Sequence, residues 1–179
     1  MAVASLLPRP LPGGCLRRLR RGDVGAFQAY RSIPELGRFQ GWSPMSDAEA
    51  LAFLAEMESS RFFQPGQWIQ LGIADAGSDV LLGDIGVHLS ADGRTGEVGF
   101  TLAPAAQGRG LATAAVRESL QLLFAATEVE CVLGITDARN HPSIRLLERL
   151  GFACRETRNV LFRGEACSEL VYVLPRDPR

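Results

Sequence analysis

The sequence predicts a mixed, mainly antiparallel β-sheet flanked by helices, of the α+β or mixed α/β class. Three observations lead to this fold class. Apolar and polar residues alternate in three segments between residues 68 and 102, with turn residues between them, which is typical of an antiparallel meander. A glycine-rich loop then runs from the last of these strands into a helical pattern. A mostly apolar run follows this helix, and the connection is long enough for a parallel crossover.

The N-terminal region contributes an extension and a first strand. Residues 1–14 contain three prolines and lack a basic segment followed by a sustained apolar one, so we expect a flexible extension rather than a secretory signal. Residues 15–175 then form one domain. Residues 15–21, C-L-R-R-L-R-R, are either a nucleic-acid patch or an edge strand with solvated arginines. The formal net charge of −1 favours the edge strand.

The next segment predicts two helices separated by a loop. Val24 and Phe27 have the spacing of one buried face of a helix over residues 24–30. Residues 32–44 hold two prolines and two glycines and predict a loop with at most one turn of helix. Phe39 and Trp42 in this loop either anchor it to the core or line a substrate pocket. Ser46 and Glu49 fit a capping box at the start of a helix that ends near residue 59.

The remaining elements follow from local patterns. Strands are predicted over residues 68–75, 80–89 and 97–102, and Pro104 ends the last of them. A helix over residues 111–126 and a buried strand over residues 131–136 come next. Asn140 can cap a further helix that ends at Gly151. Two strands, 152–161 and 167–174, close the chain around a turn at Arg163-Gly164-Glu165, so the predicted order is β-α-α-β-β-β-α-β-α-β-β.

The glycine-rich loop, residues 107–112 (Q-G-R-G-L-A), predicts an anion site. The first N–H groups of a helix lack internal partners and carry partial positive charge, so a phosphate binds well there. A tight turn that binds nothing is the alternative. Leu111 and Ala112 stand where a nucleotide-binding Walker loop needs Lys and Ser or Thr. Thr113 stands where a dinucleotide fingerprint needs a small residue, so both nucleotide classes are disfavoured.

Composition restricts the compartment and the partners. No apolar run approaches about 18 residues, which argues against a transmembrane helix. The four cysteines form no C-x-x-C pair and only two histidines are present, so no metal site is expected, and free thiols in a reducing cytoplasm are the simplest interpretation. The balanced charge gives no overall attraction to nucleic acid or to an anionic membrane.

Three stretches in this order resemble one enzyme superfamily. They are Glu97-Val98-Gly99-Phe100, the Q/R-x-x-G-x-G/A pattern of residues 107–112, and N-x-x-S followed by L-E-R-L-G-F over residues 140–152. Together they resemble the GNAT acyl-CoA-dependent N-acetyltransferases, and within them the RimJ/RimL-type branch that includes ribosomal-protein N-terminal alanine acetyltransferases. The resemblance implies six or seven strands with a central splayed parallel pair, four flanking helices, acetyl-CoA as donor and no metal. Homodimers are common in the family, and the sequence does not decide that point.

The resemblance also implies a set of coenzyme contacts. The pantetheine arm would pair with the strand at Phe100, Thr101 and Leu102, and Asn140 would hydrogen-bond the arm in addition to capping its helix. Arg145 or Arg149 either reaches the phosphates or belongs to a solvated helix face. The diphosphate contacts would fall on the backbone of the loop and on one hydroxyl: Gln107, Gly108, Arg109, Gly110, Leu111, Ala112 and Thr113.

Catalysis by direct attack of an amine requires a base and a proton donor. The resemblance implies Glu97 as the base, through water, and Ser143 as the donor to the leaving thiolate. A surface carboxylate and a plain helix-start serine are the respective alternatives. His88 and His141 do not occupy positions where the family places its base. The acceptor, a protein N-terminus or a small amine, stays open.

One departure from the branch leaves a second function open. Ala114 replaces the acidic residue that many relatives of this branch carry after the loop. Together with the uncertain base, this keeps a non-catalytic acyl-CoA-binding module as the alternative function.

Overall fold

One mixed β-sheet of eight strands organises the computed structural model, which describes residues 7–177. The strands are β1 Arg9–Leu11, β2 Gly14–Arg18, β3 Gln67–Asp75, β4 Leu81–Leu89, β5 Thr95–Leu102, β6 Cys131–Asp137, β7 Ala153–Phe162 and β8 Glu165–Pro175. Their order in the sheet is β1-β2-β3-β4-β5-β6-β8-β7, and all neighbouring strands are antiparallel except β5 and β6. The α-helices are α1 Val24–Arg31, α2 Pro34–Gly37, α3 Asp47–Ser59, α4 Leu111–Ala126 and α5 His141–Arg149.

The helices cover both faces of the sheet. Gly96 in β5 lies against Leu123 of α4, and Gly134 in β6 lies against Leu147 of α5. We call this side the back face. Side chains alternate along a strand, so the opposite front face carries Glu97, Gly99 and Thr101 of β5. Helices α1 and α3 pack on the front face, against β4 and β3 respectively.

Most predicted elements are confirmed, including the antiparallel meander β3–β4–β5, the long helix α4 and the closing hairpin β7–β8. Ser46 caps α3 and its hydroxyl accepts from Glu49 N–H at 3.3 Å, and Asn140 caps α5. The short α2 accounts for the single turn of helix expected in the loop after α1. No helix among residues 7–177 has the length and apolarity needed to cross a bilayer.

Two N-terminal predictions are wrong. Residues 9–11 pair with β2 as an eighth strand, so the predicted flexible extension is incorrect there, and the sheet exceeds the expected six or seven strands. Residues 1–6 lie outside the described residues. With β1 beside it, β2 is an internal strand. Arg17 is 3% exposed, so this arginine is not solvated as expected. Its guanidinium pairs with Asp23 at 2.9 Å, which supplies the charged partner that a buried guanidinium requires.

Candidate active site

Strands β5 and β6 separate soon after they begin. Their parallel pairing covers three residue pairs and ends at Glu97 and Leu133, although β5 continues to Leu102 and β6 to Asp137. We call the resulting gap the fork. Within it the β5 edge that faces β6 has no strand partner, so its backbone groups need other partners. Side chains provide some: Gln40 Nε2 donates to the Phe100 carbonyl at 3.2 Å, and Gln107 Nε2 donates to the Leu102 carbonyl at 3.0 Å.

The glycine-rich loop leads directly into α4. Gly108 and Gly110 have φ values of +77° and +76°, which residues with a Cβ adopt only with strain. Gly110 is the N-cap of α4, and no side chain caps this helix. The Ala114 N–H bonds to the Gly110 carbonyl at 3.0 Å, while the preceding N–H groups belong to the first turn, which has no helical acceptors. This terminus therefore has the donors and the dipole that an anion requires.

A cavity of about 600 Å³ joins the loop to the fork. Arg109, which was predicted to contact the coenzyme through its backbone, is the one predicted contact that does not line it; its side chain is exposed and donates to the Ala105 carbonyl at 2.5 Å. The predicted residues that do line it are Phe100, Thr101, Leu102, Gln107, Gly108, Gly110, Leu111, Ala112, Thr113, Asn140 and Ser143. The fold thus brings together residues from β5, the loop and α5 that are far apart in sequence.

Two cationic side chains of α5 face this cavity. Arg145 and Arg149 both line it, and Arg149 Nη1 lies 3.4 Å from Thr113 Oγ1 in the first turn of α4. Arg149 therefore stands beside the anion-binding terminus, where its charge adds to that of the helix dipole. Of the two roles that the sequence left open for these arginines, the geometry favours contact with a bound anion.

Asn140 and Ser143, at the start of α5, also line the large cavity. Both residues also line a second, small cavity of about 30 Å³ inside the fork. The Asn140 Oδ1 accepts from the Ser143 N–H at 3.4 Å, which is the N-cap contact of α5. The Ser143 hydroxyl makes no hydrogen bond to another residue in the described part of the chain, so it can donate to a group in the fork.

Glu97 is the last β5 residue paired with β6, so it marks the start of the fork on the front face. It lines neither cavity. Burial raises the pKa of its carboxyl group, nearby His88 lowers that pKa, and the Glu169 carboxylate raises it. A pKa moved upward brings a carboxylate closer to the range of an effective general base at neutral pH.

The two histidines differ in position. His88 of β4 is the direct cross-strand neighbour of Glu97, and its ring centroid lies 5.2 Å from that of Trp68. His141 begins α5 and is exposed, and it lines neither cavity. The pairing of His88 with Glu97 could have been found from the register of the predicted meander, because a hairpin fixes which residues stand opposite each other.

Sequence reasoning missed several cavity residues. Glu35, Leu36 and Gln40, from α2 and the loop after it, line the large cavity, and Gln40 also lines the small one. No motif marks these positions. Phe39 lines both cavities, which supports the pocket interpretation of this aromatic residue, whereas Trp42 packs on Gly37 and on the Arg31 guanidinium and so anchors the loop.

No group of three or more His, Cys, Asp or Glu side chains within residues 7–177 has the arrangement of a metal site.

Comparison with known proteins identifies the family. Residues 15–153 match the model of the acetyltransferase (GNAT) domain. The uncharacterized N-acetyltransferase p20 of Bacillus licheniformis is 25% identical over 139 residues, which are 76% of this chain and 77% of that protein.

Two solved structures share the fold at low identity. One is RimL, a ribosomal L7/L12 α-N-protein acetyltransferase in complex with coenzyme A, with a TM-score of 0.80 and 13% identity over 96% of this chain and 99% of that chain. The other is a spermidine N-acetyltransferase from Vibrio cholerae in complex with CoA and spermine, with a TM-score of 0.76 and 17% identity over 92% of this chain and 96% of that chain. The predicted GNAT fold is confirmed. Because the family model spans most of the sequence, the chain belongs to the GNAT acetyltransferase family.

Proposed function

We propose that this protein transfers the acetyl group of acetyl-CoA to a primary amine by direct attack. One observation carries the proposal: a single cavity connects the uncapped N-terminus of α4 with the open edge of β5 in the fork. An anion site and a free strand edge at the two ends of one cavity suit a molecule that has a diphosphate at one end and an amide-containing arm at the other.

The residues present fit the coenzyme. A volume of about 600 Å³ lies within the range of small-molecule sites, about 300–1,000 Å³. Backbone N–H groups of the loop from Gln107 to Ala112 would hold the diphosphate. The carbonyls of Phe100 and Leu102 already accept from glutamine side chains, so they are oriented to accept from the amides of the arm instead. Asn140 would complete the contacts to the arm.

The chain supplies the groups that direct attack needs. Glu97, with its raised pKa, takes a proton from the ammonium of the acceptor through water. A backbone N–H near Phe100 polarises the thioester carbonyl. Ser143 lines the fork cavity, and its hydroxyl makes no hydrogen bond to a described residue. This hydroxyl protonates the leaving thiolate. The motifs over residues 97–112 and 140–152 support a place in the RimJ/RimL-type branch, and the four free cysteines suit a reducing cytoplasm.

A panel of acceptors tests this function. Acetyl-CoA is incubated with the protein and with single amines or peptides, and free thiol is measured. Release that depends on one class of acceptor supports the transferase. Binding of acetyl-CoA without release across a broad panel contradicts it and favours the acyl-CoA-binding module.

Replacing Arg149 by alanine is expected to raise the Kd for CoA about tenfold, because a charge-assisted contact beside the α4 terminus is lost. Isothermal titration calorimetry measures this change. Arg117→Ala is the matched control, since Arg117 lies on the exposed side of α4 and outside the cavity. Equal affinities of the Arg149 variant and the unmodified protein for CoA would contradict a contact between this guanidinium and the coenzyme.

Replacing Ser143 by alanine is expected to lower kcat by about 10²-fold, the lower end of the range for a general acid, and not to change the Kd for CoA, because only the proton donor to the thiolate is removed. Steady-state kinetics and calorimetry separate the two quantities. Ser143→Thr, which keeps a hydroxyl, serves as the control. A kcat that is unaffected in the alanine variant would contradict the assigned role.

A further inference from the structure

A histidine stands directly opposite the candidate base on the neighbouring strand. His88 of β4 pairs with Glu97 of β5 in the antiparallel register, and two positions further along the same strands the Ser90 N–H donates to the Thr95 carbonyl at 2.8 Å. Hydrogen-bonded and non-hydrogen-bonded pairs alternate along antiparallel strands, so His88 and Glu97 form a hydrogen-bonded pair. Their Cα atoms are therefore about 5.5 Å apart, and their side chains leave the sheet on the same face.

The His88 ring lies between Glu97 and an exposed tryptophan. Trp68 of β3 is the other cross-strand neighbour of His88, so the three side chains form one row across the front face of the sheet. The ring centroids of Trp68 and His88 are 5.2 Å apart, with 35° between the ring planes. Trp68 is 46% exposed, so the β3 end of this row is in contact with solvent. An imidazole at this position can exchange protons with water while it stays beside Glu97.

Within residues 7–177, two titratable side chains act on Glu97, and their effects are opposite. Burial raises the pKa of the Glu97 carboxyl group, His88 of β4 lowers that pKa, and the Glu169 carboxylate of β8 raises it. The strand neighbour on β6, Leu133, carries no charge. His88 is therefore the group that offsets the combined effect of burial and Glu169 on the candidate base.

The helices on the front face add other groups near this row. Helix α3 contributes Met57, whose uncharged sulfur accepts from the Gln70 N–H at 3.3 Å. Helix α1 contributes Arg31, which pairs with Asp84 of β4 at 2.6 Å. Asp84 lies four residues before His88, or about 13 Å along the strand. The charges of this buried pair compensate each other, so the helices leave His88 as the nearby cation.

The space beside Glu97 is open toward the fork. Gly99 follows Glu97 on the front face of β5, and a side chain at Gly99 would meet no other atom within 4 Å. Gly99 also lines the small fork cavity, as Ser143 does. Alternate residues of a strand are about 7 Å apart, a distance that a carboxylate and one water molecule can span. A proton from an amine in the fork can therefore reach Glu97.

The charge of a histidine appears in the pH range where the base needs support. An imidazolium beside a carboxylate favours the ionised form of that carboxylate. Histidine gains its charge between about pH 8 and pH 5, the range in which a carboxylate with a raised pKa begins to take up protons. A cation at His88 thus opposes protonation of Glu97 as the pH falls. Without it, burial and Glu169 would protonate the base at a higher pH.

We propose that His88 is a positioning residue for the acceptor step: its imidazolium, held between Trp68 and Glu97, keeps the base ionised and extends activity to lower pH. This role rests on the transferase function proposed above. His88 acts through Glu97 and does not itself contact the reacting atoms.

Two substitutions at the same position separate the charge from the ring. His88→Gln removes the charge, whereas His88→Lys keeps a positive charge throughout the pH range, and both remove the ring from Trp68. His141→Gln is the matched control, because His141 is exposed and lines neither cavity. The pH profile of kcat is measured by thiol release from acetyl-CoA with an amine that the acceptor panel identifies.

A second readout follows the carboxyl group without turnover. The protein is labelled with ¹³C at the glutamate carboxyl carbons, and the Glu97 signal is titrated by NMR in the absence of substrate. Glu97→Gln assigns this signal, because the signal disappears in that variant. The NMR titration separates the effect of His88 on Glu97 from the effect of Glu97 on the reaction.

His88→Gln is expected to move the acidic limb of the kcat profile to higher pH by about half to one pH unit, the effect of one charge beside a half-buried carboxylate. His88→Lys should leave the limb in place or move it to lower pH. The pKa of Glu97 measured by NMR should move in the same direction as the limb in each variant. His141→Gln should change neither readout.

An upward displacement of the limb that is equal in His88→Gln and His88→Lys would show that the ring matters rather than its charge, and would overturn the role. A limb that stays in place in His88→Gln would also overturn it. An NMR titration that moves as expected, without thiol release from any acceptor, would leave the coupling of His88 to Glu97 intact and overturn the transferase function.

Discussion

Glu97→Gln is expected to lower kcat by about 10²- to 10⁴-fold, the range that a general base contributes, and to leave the Kd for CoA unchanged. Glutamine keeps the shape of the side chain, but it cannot take a proton from the acceptor. Since Glu97 lines neither cavity, its replacement should not alter coenzyme contacts. Steady-state kinetics with a responsive amine gives kcat, and calorimetry gives the Kd.

The pH dependence provides the control for this assignment. A base must be ionised to act, so kcat should fall as the pH falls through the pKa of Glu97, which burial holds above its ordinary value. Glu169 raises that pKa, so Glu169→Gln should shift the acidic limb of the profile to lower pH and leave the plateau in place. An acidic limb that persists unchanged in Glu97→Gln would show that another group is the base.

Asp84→Ala is expected to lower the free energy of unfolding by about 3–5 kcal/mol, because the Arg31 charge stays buried without its partner. Asp84 accepts from Arg31 Nη2 at 2.6 Å and from Arg31 Nε at 3.3 Å, and the Tyr30 hydroxyl also donates to it. All three residues are at most 3% exposed. Urea unfolding measures the loss.

A loss of this size can prevent folding, because whole domains have a free energy of unfolding of only about 5–15 kcal/mol. Asp84→Asn then supplies the measurement: its one amide oxygen can still accept from Tyr30 and from Arg31 Nε, whereas its amide nitrogen cannot accept from Arg31 Nη2, so the loss should be smaller than for alanine but not zero. Glu130→Ala is the control, as Glu130 and Arg94 form an ion pair in which both side chains are at least 60% exposed, and exposed pairs contribute little. Equal losses for Asp84→Ala and Glu130→Ala would contradict the structural role of the buried pair.

The predictable parts of the molecule have local signals. The glycines at 108 and 110, the Ser46–Glu49 capping box and the Asn140 cap each act within a few residues, so the sequence alone shows them. The fork was expected from the family resemblance, and most of the predicted coenzyme contacts line the large cavity because they lie on one strand, one loop and one helix start.

The parts that sequence reasoning missed depend on distant contacts. Arg17 was expected in solvent, yet it pairs with Asp79, which lies 62 residues away. The prolines of residues 8–12 argued against a strand, and β1 was not predicted because its partner β2 is what pairs with it. Arg163 donates to the Gln40 carbonyl, which lies 123 residues away, and no local pattern marks either residue. Such pairs become visible only when the topology brings the segments together.

A crystal structure of the complex with CoA would show whether one cavity holds both ends of the coenzyme. We expect the diphosphate on the N–H groups at the start of α4, within hydrogen-bond distance of the backbone of Gly108 to Ala112. We expect the thiol end in the fork, beyond the last β5–β6 pair and close to Ser143. A diphosphate bound elsewhere, or an arm that leaves the β5 edge at Phe100 and Leu102 uncovered, would contradict the proposed coenzyme site.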